Sequence, residues 1–107
     1  MPRLMSPSAL MIAFAVVATP AAGAPEMLPL SVTNASEKIA ICSVLVDGRL
    51  KYELKIRPGK TWSDEFQSIR ELKLVCERSR ELFFGPLKLG GTYRIVEVKR
   101  WLEIEPT

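Results

Sequence analysis

The sequence predicts an all-β protein, a small antiparallel β-sandwich of about seven strands that follows a signal peptide. Three observations support this fold class. Apolar and polar residues alternate along several segments, which is the period of a half-buried strand. Short segments of this kind recur about every ten residues with turn-forming residues between them, as in sandwiches and barrels. No segment repeats its apolar residues at the spacing of an amphipathic helix.

The first 23 residues have the three parts of a secretory signal peptide. One positive charge, Arg3, precedes an uninterrupted apolar run over residues 9–18, and small residues follow up to Ala24. A membrane-spanning helix needs about 20 apolar residues, roughly twice this run. We therefore expect cleavage after Gly23 and a single domain over residues 24–107, with an uncleaved membrane anchor as the alternative. The cleaved domain is then periplasmic or extracellular and does not insert into a membrane.

After cleavage the charges of the domain nearly balance. Of the 15 basic residues in the sequence, only Arg3 leaves with the signal peptide, so 14 basic residues face 12 acidic ones. This balance gives no reason to expect nucleic acid or an anionic membrane as a partner. A chain of this length forms one small domain, and its modest core often needs a covalent link.

The first half of the domain predicts four strands. Residues 27–34 form the first, where Pro29 suits a sheet edge because it has no N–H for the ladder. Residues 38–46 are apolar on both faces, which indicates a more central strand. Asp47-Gly48 is a hairpin turn signal, and after the third strand Pro58-Gly59 leads to a fourth at residues 61–66. In the third strand, residues 49–57, one face is apolar and the other charged: Leu50, Tyr52, Leu54 and Ile56 against Arg49, Lys51, Glu53, Lys55 and Arg57.

The second half predicts further short strands. Residues 67–71 form a connection, and the strand segments that follow it are 72–77, 81–89, 92–98 and 101–104. Gly85-Pro86 is expected to break the segment 81–89, because proline cannot donate to a sheet ladder.

The only two cysteines are Cys42 and Cys76. An exported chain meets an oxidising compartment, so a disulfide between them is expected. Both share a strand face with apolar residues, so both can point into a core, and a bridge between the two sheets would lie there. A metal site is the alternative, but the sequence has no histidine and the cysteines are far apart in the chain.

Residues 87–98 resemble the tyrosine corner of Greek-key sandwiches such as fibronectin type III domains. Leu87, Gly90, Thr92 and Tyr93 match the pattern of a leucine and a turn before a tyrosine that starts a strand. The resemblance implies an immunoglobulin- or fibronectin-like topology, with the Tyr93 hydroxyl bonded to nearby backbone. The cysteines depart from immunoglobulin usage, because Tyr93 follows Cys76 by 17 residues instead of preceding a cysteine by two. An ordinary core aromatic is the alternative role for Tyr93.

The sequence lacks the residues that most catalytic mechanisms require. Without histidine, neither a Ser-His-Asp nor a Cys-His arrangement can form, and no phosphate-binding loop or Cys-x-x-Cys pair occurs. Asp64-Glu65 is the only adjacent acidic pair, and neighbours on a strand point to opposite faces. We expect no enzyme activity, no cofactor and no bound metal. Asn34-Ala35-Ser36 fits the glycosylation sequon, and we interpret it as a chance match.

Exposed aromatic side chains are the best candidates for a contact surface. One of Phe83 and Phe84 must leave the core, because neighbours on a strand alternate, and Trp101 faces outward if Leu102 faces inward. The sequence therefore predicts an exported, non-catalytic domain that binds another protein. A carbohydrate or small-ligand module is the alternative function, and a carboxylate hydrolase is a third. The candidate contact residues are Trp101, Phe83, Phe84, Trp62, Arg49, Lys51, Lys55 and Arg57.

Overall fold

The structure, a computed structural model, describes residues 25–107, so the predicted signal peptide lies outside the described residues. The described part of the chain is built from strands and turns, with no helix. Its eight strands are β1 (Met27–Asn34), β2 (Ala40–Val46), β3 (Arg49–Ile56), β4 (Thr61–Gln67), β5 (Leu72–Cys76), β6 (Phe84–Leu87), β7 (Thr92–Val98) and β8 (Trp101–Pro106). The all-β prediction is confirmed, with eight strands where about seven were expected.

The strands form two four-stranded sheets in the orders β4-β1-β7-β8 and β3-β2-β5-β6. All pairs are antiparallel except β1 and β7, which are parallel, so the expected purely antiparallel arrangement is wrong at that pair. Constant-type immunoglobulin domains place their second and third strands in different sheets. Here β2 and β3 form a hairpin within one sheet, which is a different strand order.

The core lies between the inner faces of the two sheets. Its fully buried side chains come mainly from the central strands β1, β2, β5 and β7 and are supplied at alternate positions, as the period of two requires. Burying each large aliphatic side chain contributes about 1.5–3 kcal/mol. The largest apolar side chains that are fully buried are Leu30, Val32, Val44, Leu72, Leu74, Ile95 and Leu102.

Two hairpin turns rely on backbone with positive φ. Asp47 and Gly48 have φ of 54° and 82°, which confirms the Asp-Gly hairpin between β2 and β3. The β7–β8 hairpin uses Lys99 and Arg100 at φ of 55° and 73°. Neither residue type favours that conformation, so no turn could be predicted at these two residues. The hydroxyl of Tyr93 accepts a hydrogen bond from the Lys88 N–H at 2.7 Å, as the tyrosine-corner resemblance implies.

Two of the strand prolines, Pro29 and Pro86, lie where a missing N–H is tolerated. β1 is an internal strand, contrary to the edge placement expected from Pro29. However, pairing with β7 begins only at Ser31, so β4 is the only strand that borders the segment around Pro29, and the Pro29 carbonyl accepts from the Gly90 N–H at 2.6 Å. Gly85-Pro86 lies inside β6 and does not break it, contrary to expectation. β6 is an edge strand, so Pro86 needs no donor on its free side.

The two cysteines form a disulfide with an S–S distance of 2.01 Å. They are direct cross-strand partners on β2 and β5, so the bridge lies within one sheet. The expectation of a bridge between sheets is therefore wrong. Strand parity fixes which face a cysteine occupies, but it leaves open which strand is its neighbour.

A β-bulge near the start of β3 changes which residues face the core. Val44 pairs with Tyr52, but Leu45 pairs with Leu50, so Lys51 is an extra residue on β3. A one-residue shift moves every side chain beyond it to the other face. Leu50 is consequently 58% exposed beside Leu45, although the alternation of the sequence predicts an inward position. Arg49 pairs instead with Val46, on the inner side.

Candidate binding surfaces

The four aromatic candidates lie in three different environments. Phe84 is buried in the core with 3% exposure, so its prediction as a contact residue is wrong. Trp62 is half-buried, packs against the core and donates its indole N–H to the Tyr52 hydroxyl at 3.2 Å. It therefore offers no free stacking surface. Phe83 and Trp101 are each 41% exposed. Phe83 directly precedes β6 of one sheet, and Trp101 begins β8 of the other.

The four basic residues predicted to form a contact surface, on β3 and directly after it, do not form one stripe. Lys55 and Arg57 are exposed at one end, as predicted. The bulge redirects Arg49 and Lys51, which line a groove at the other end of the sandwich. The ammonium of Lys51 lies 4.7 Å from the centre of the Phe66 ring. The single-face stripe predicted from a strict period of two is thus wrong, because the bulge interrupts that period.

Apolar residues line the outer face of the β3-β2-β5-β6 sheet. On β2, Ile41 and Leu45 alternate with buried core residues and therefore point away from the core. Cross-strand pairing places Leu50 beside Leu45. It also places Val75 beside Ser43, which lies between Ile41 and Leu45 on β2. The Lys73 ammonium lies 4.3 Å from the ring centre of Phe83 and connects that ring to this face. We call the set the outer apolar strip: Ile39, Ile41, Leu45, Leu50, Val75 and Phe83.

Charged residues of both signs border the strip. Glu53 and Lys55 lie on β3, while Lys73 and Glu77 lie on or next to β5. Glu53 is paired with Ser43, and Lys55 with Ile41, so both stand directly beside the strip. A groove of about 360 Å³ passes between Ile41 and Val75 and is flanked by Glu53 and Glu77. The surroundings of the strip are therefore close to neutral.

The outer face of the other sheet is polar over most of its width. Hydroxyl groups pair across its strands, Ser31 with Ser63 at 2.8 Å and Thr33 with Thr61 at 2.6 Å. Arg94 and Glu105 form an ion pair on the same face. Its apolar exceptions are Met27 at the start of β1 and, on the β7–β8 hairpin, Val96 and the cross-strand partners Val98 and Trp101. The two outer faces of the sandwich thus differ clearly in character.

The third surface feature is the groove that contains Arg49 and Lys51, which we call the end groove. It has a volume of about 400 Å³ and lies where the β2–β3 hairpin approaches the β4–β5 connection. Its apolar lining comes from Met27, Val46, Leu50 and Phe66. Its basic lining comes from Arg49, Lys51 and Arg70. No feature of the sequence indicated this groove, because it depends on the bulge.

A hydrogen-bonded cluster joins β3 to β4 beside the end groove. The Tyr52 hydroxyl donates to Asp64 at 2.5 Å, and the Lys51 ammonium lies 3.8 Å from the same carboxylate. The Tyr52 hydrogen bond is the main cause that lowers the pKa of Asp64. Burial, followed by the bond to Asp64, raises the pKa of Tyr52 to about 12. Asp64 thereby joins the two sheets. The backbone N–H of Glu65 also donates to Asp64 at 2.7 Å, whereas the Glu65 side chain does not belong to the cluster.

Acid is expected to weaken this cluster. Because the folded pKa of Asp64 is lowered, its contribution to stability is present above the ordinary aspartate pKa of 3.8 and is lost as the pH falls through the folded pKa. Urea unfolding between pH 6 and pH 2 should therefore show a smaller loss of stability for Asp64→Asn than for the wild type. Glu65→Gln on the same strand is the matched control and should follow the wild type. Identical acid profiles for wild type and Asp64→Asn would contradict this assignment.

The described residues hold neither a metal-binding cluster of acidic and cysteine side chains nor a membrane-spanning helix. Within residues 25–107, no three such ligands come together. In the same range, no helix is long and apolar enough to cross a membrane.

The chain matches no family model, and no curated protein or solved structure is detectably similar to it. Functional inference therefore depends on the surfaces described above.

Proposed function

We propose that this protein is an exported, non-catalytic domain that binds another protein through the outer apolar strip. The observation that supports this most directly is the contrast between the two outer faces. An antiparallel sheet that faces water on one side normally presents polar residues there. The face with Ser31 and Thr33 follows that rule, whereas the face with Ile41, Leu45 and Val75 does not. Exposed apolar patches of this kind are typical of interaction sites.

The charges around the strip favour a protein over other occupants. Anionic membranes and nucleic acids require a surplus of basic side chains at the contact. Here Lys55 and Lys73 are balanced by Glu53 and Glu77. A neutral border of mixed sign around an apolar centre matches the usual anatomy of a protein interface. The partner is therefore expected to present an apolar ridge flanked by both acidic and basic residues.

Export is supported by the disulfide between Cys42 and Cys76, since such bonds persist in oxidising compartments. The sequence of residues 1–23 gives the corresponding signal-peptide pattern. The missing histidine and the structural role of Asp64 support a non-catalytic domain.

Two matched substitutions test the proposed surface. Val75 and Val98 are each 38% exposed, and they lie on the outer faces of opposite sheets. Val75→Lys should weaken capture of the partner by at least about tenfold, because it buries a charge in an apolar contact. Val98→Lys should leave capture unchanged. Both should change the free energy of unfolding by less than about 1 kcal/mol, as for surface positions. The measurement is quantitative pull-down from the exported fraction with the mature domain as bait, followed by titration of the captured protein.

Trp101→Ala distinguishes the strip from the hairpin that carries the second exposed aromatic. Retained binding in Trp101→Ala, with loss in Val75→Lys, supports the strip. Loss of binding in Trp101→Ala and Val98→Lys, with retention in Val75→Lys, would overturn it and place the contact on the opposite sheet. Sedimentation of the purified domain shows whether the partner is a second copy, in which case Val75→Lys yields monomers.

A further inference from the structure

The end groove combines an apolar lining with three basic side chains, two of which are paired with carboxylates. Arg49, Lys51 and Arg70 all line it, whereas Glu65 is its only acidic lining residue. Two further carboxylates lie nearby. Asp47 binds Arg70 at 2.9 Å, and Asp64 lies 3.8 Å from Lys51.

Arg49 is the basic residue most available to a ligand. Among residues 25–107, its guanidinium takes part in no ion pair or side-chain hydrogen bond, whereas Arg70 also donates to Gln67 at 3.1 Å. A free guanidinium beside an apolar wall suits a carboxylate or phosphate, which it can bind with two parallel hydrogen bonds.

The bulge at Lys51 is the local device that assembles this site. In a regular β3, the alternation would place Arg49 and Lys51 together on the outer face. The extra residue brings Arg49 opposite Val46 and lets Lys51 reach over the Phe66 ring. Bulges commonly re-aim side chains beside functional sites.

We propose that the end groove binds a single-chain anionic amphiphile, with its acidic head at Arg49 and Lys51 and its alkyl chain against Phe66, Val46 and Met27. The groove volume of about 400 Å³ lies within the usual range of small-molecule sites, about 300–1,000 Å³. An apolar lining with a few charged groups is also the usual composition of such sites. The free guanidinium of Arg49 favours an anionic head over a cationic one, and the apolar lining favours an amphiphile over a small anion. This inference is independent of the outer apolar strip, although Leu50 borders both.

Calorimetric titration with dodecanoate tests the proposal. Dodecyltrimethylammonium carries the same chain with the opposite charge, and acetate carries the head without the chain. Dodecanoate should bind at least about tenfold more tightly than either. Dodecyl phosphate is the second anionic probe, and the tighter of the two anions identifies the preferred head. Binding of dodecyltrimethylammonium as tight as that of dodecanoate would overturn the proposal, and so would the absence of measurable dodecanoate binding.

Two arginines on the β3 segment provide the matched variants. Arg49→Gln should weaken dodecanoate binding by about tenfold, the usual effect of losing a charge-assisted hydrogen bond. Arg57→Gln removes the same charge outside the groove and should bind like the wild type. Equal affinities of the two variants would overturn the assignment. Amide chemical shifts that change at Val75 and Ile41 instead of Met27 and Phe66 would also overturn it, because they place the ligand on the outer apolar strip.

Discussion

Asn34→Ala is expected to lower the free energy of unfolding by about 3–5 kcal/mol, because it leaves several buried polar groups without partners. The Asn34 side chain is fully buried. Its amide donates to the carbonyl of Lys38 at 2.6 Å and to that of Ile56 at 2.7 Å. Its carbonyl oxygen accepts from the Ser36 N–H at 2.9 Å and from the Ser36 hydroxyl at 2.7 Å. Truncation to alanine therefore removes four hydrogen bonds at once.

The position of Asn34 in the fold explains why this network is needed. The residue ends β1, and the chain then crosses to the other sheet to begin β2. Its backbone N–H donates to the Lys60 carbonyl at 2.9 Å, and its backbone carbonyl accepts from the Gly59 N–H at 2.7 Å. The side chain thus fixes the β1–β2 crossover to the end of β3, where water has no access.

Urea unfolding of two variants measures the effect and its cause. Asn34→Asp keeps the shape of the side chain but turns the donor into an oxygen that faces two carbonyls, so it should cost at least as much as Asn34→Ala. Thr33→Ala is the control. The Thr33 hydroxyl pairs with Thr61 near the surface, and its loss should cost less than about 1 kcal/mol. Stability of Asn34→Ala within 1 kcal/mol of the wild type would contradict the proposed role.

The sequence predicted strand positions well because local physics determines them. Alternation, β-branched residues and the Asp47-Gly48 turn are properties of short segments. The predicted bounds of β1 and β7 agree with the structure, and those of β2 and β3 differ by at most two residues. Asn34 shows the limit of such reasoning. As a sequence element it is part of a glycosylation sequon, and only the sheet crossover reveals its buried role.

Features that depend on pairing between strands were not predictable in the same way. Which strand lies beside the strand of each cysteine depends on the strand order of the sheet. The alternation of residues along one strand does not determine that order. The bulge at Lys51 has no signal in composition, yet it moves Leu50 outward and Arg49 into the end groove. The outer apolar strip had a partial signal. Residues 38–46 are apolar on both faces, which predicts a central strand, and β2 is central in its sheet. The second apolar face of β2 belongs to the uncovered outer side of that sheet.

Loss of the disulfide is expected to reduce the free energy of unfolding by about 3–4 kcal/mol. Cys42 and Cys76 are separated by 34 positions, and closing a loop of this length restricts the unfolded chain by about 4 kcal/mol in loop-entropy terms. The strands that carry them, β2 and β5, are already hydrogen-bonded neighbours. The bond therefore acts mainly on the unfolded chain and adds little to the contacts of the folded one. For a domain of this size, such a loss corresponds to a decrease in melting temperature of about 12–30 °C.

The double variant Cys42→Ala/Cys76→Ala tests this expectation without burying a new hydroxyl group, since both positions lie in the core. Thermal and urea unfolding are compared for the oxidised wild type, the reduced wild type and the double variant. The reduced wild type and the double variant should be destabilised alike. A reductant should change the wild type alone, which separates the effect of the bond from any other effect of the reagent. Two titratable thiols in the denatured, unreduced wild type would show that the bond is absent from the protein. A double variant within 1 kcal/mol of the oxidised wild type would show that the bond contributes little to stability.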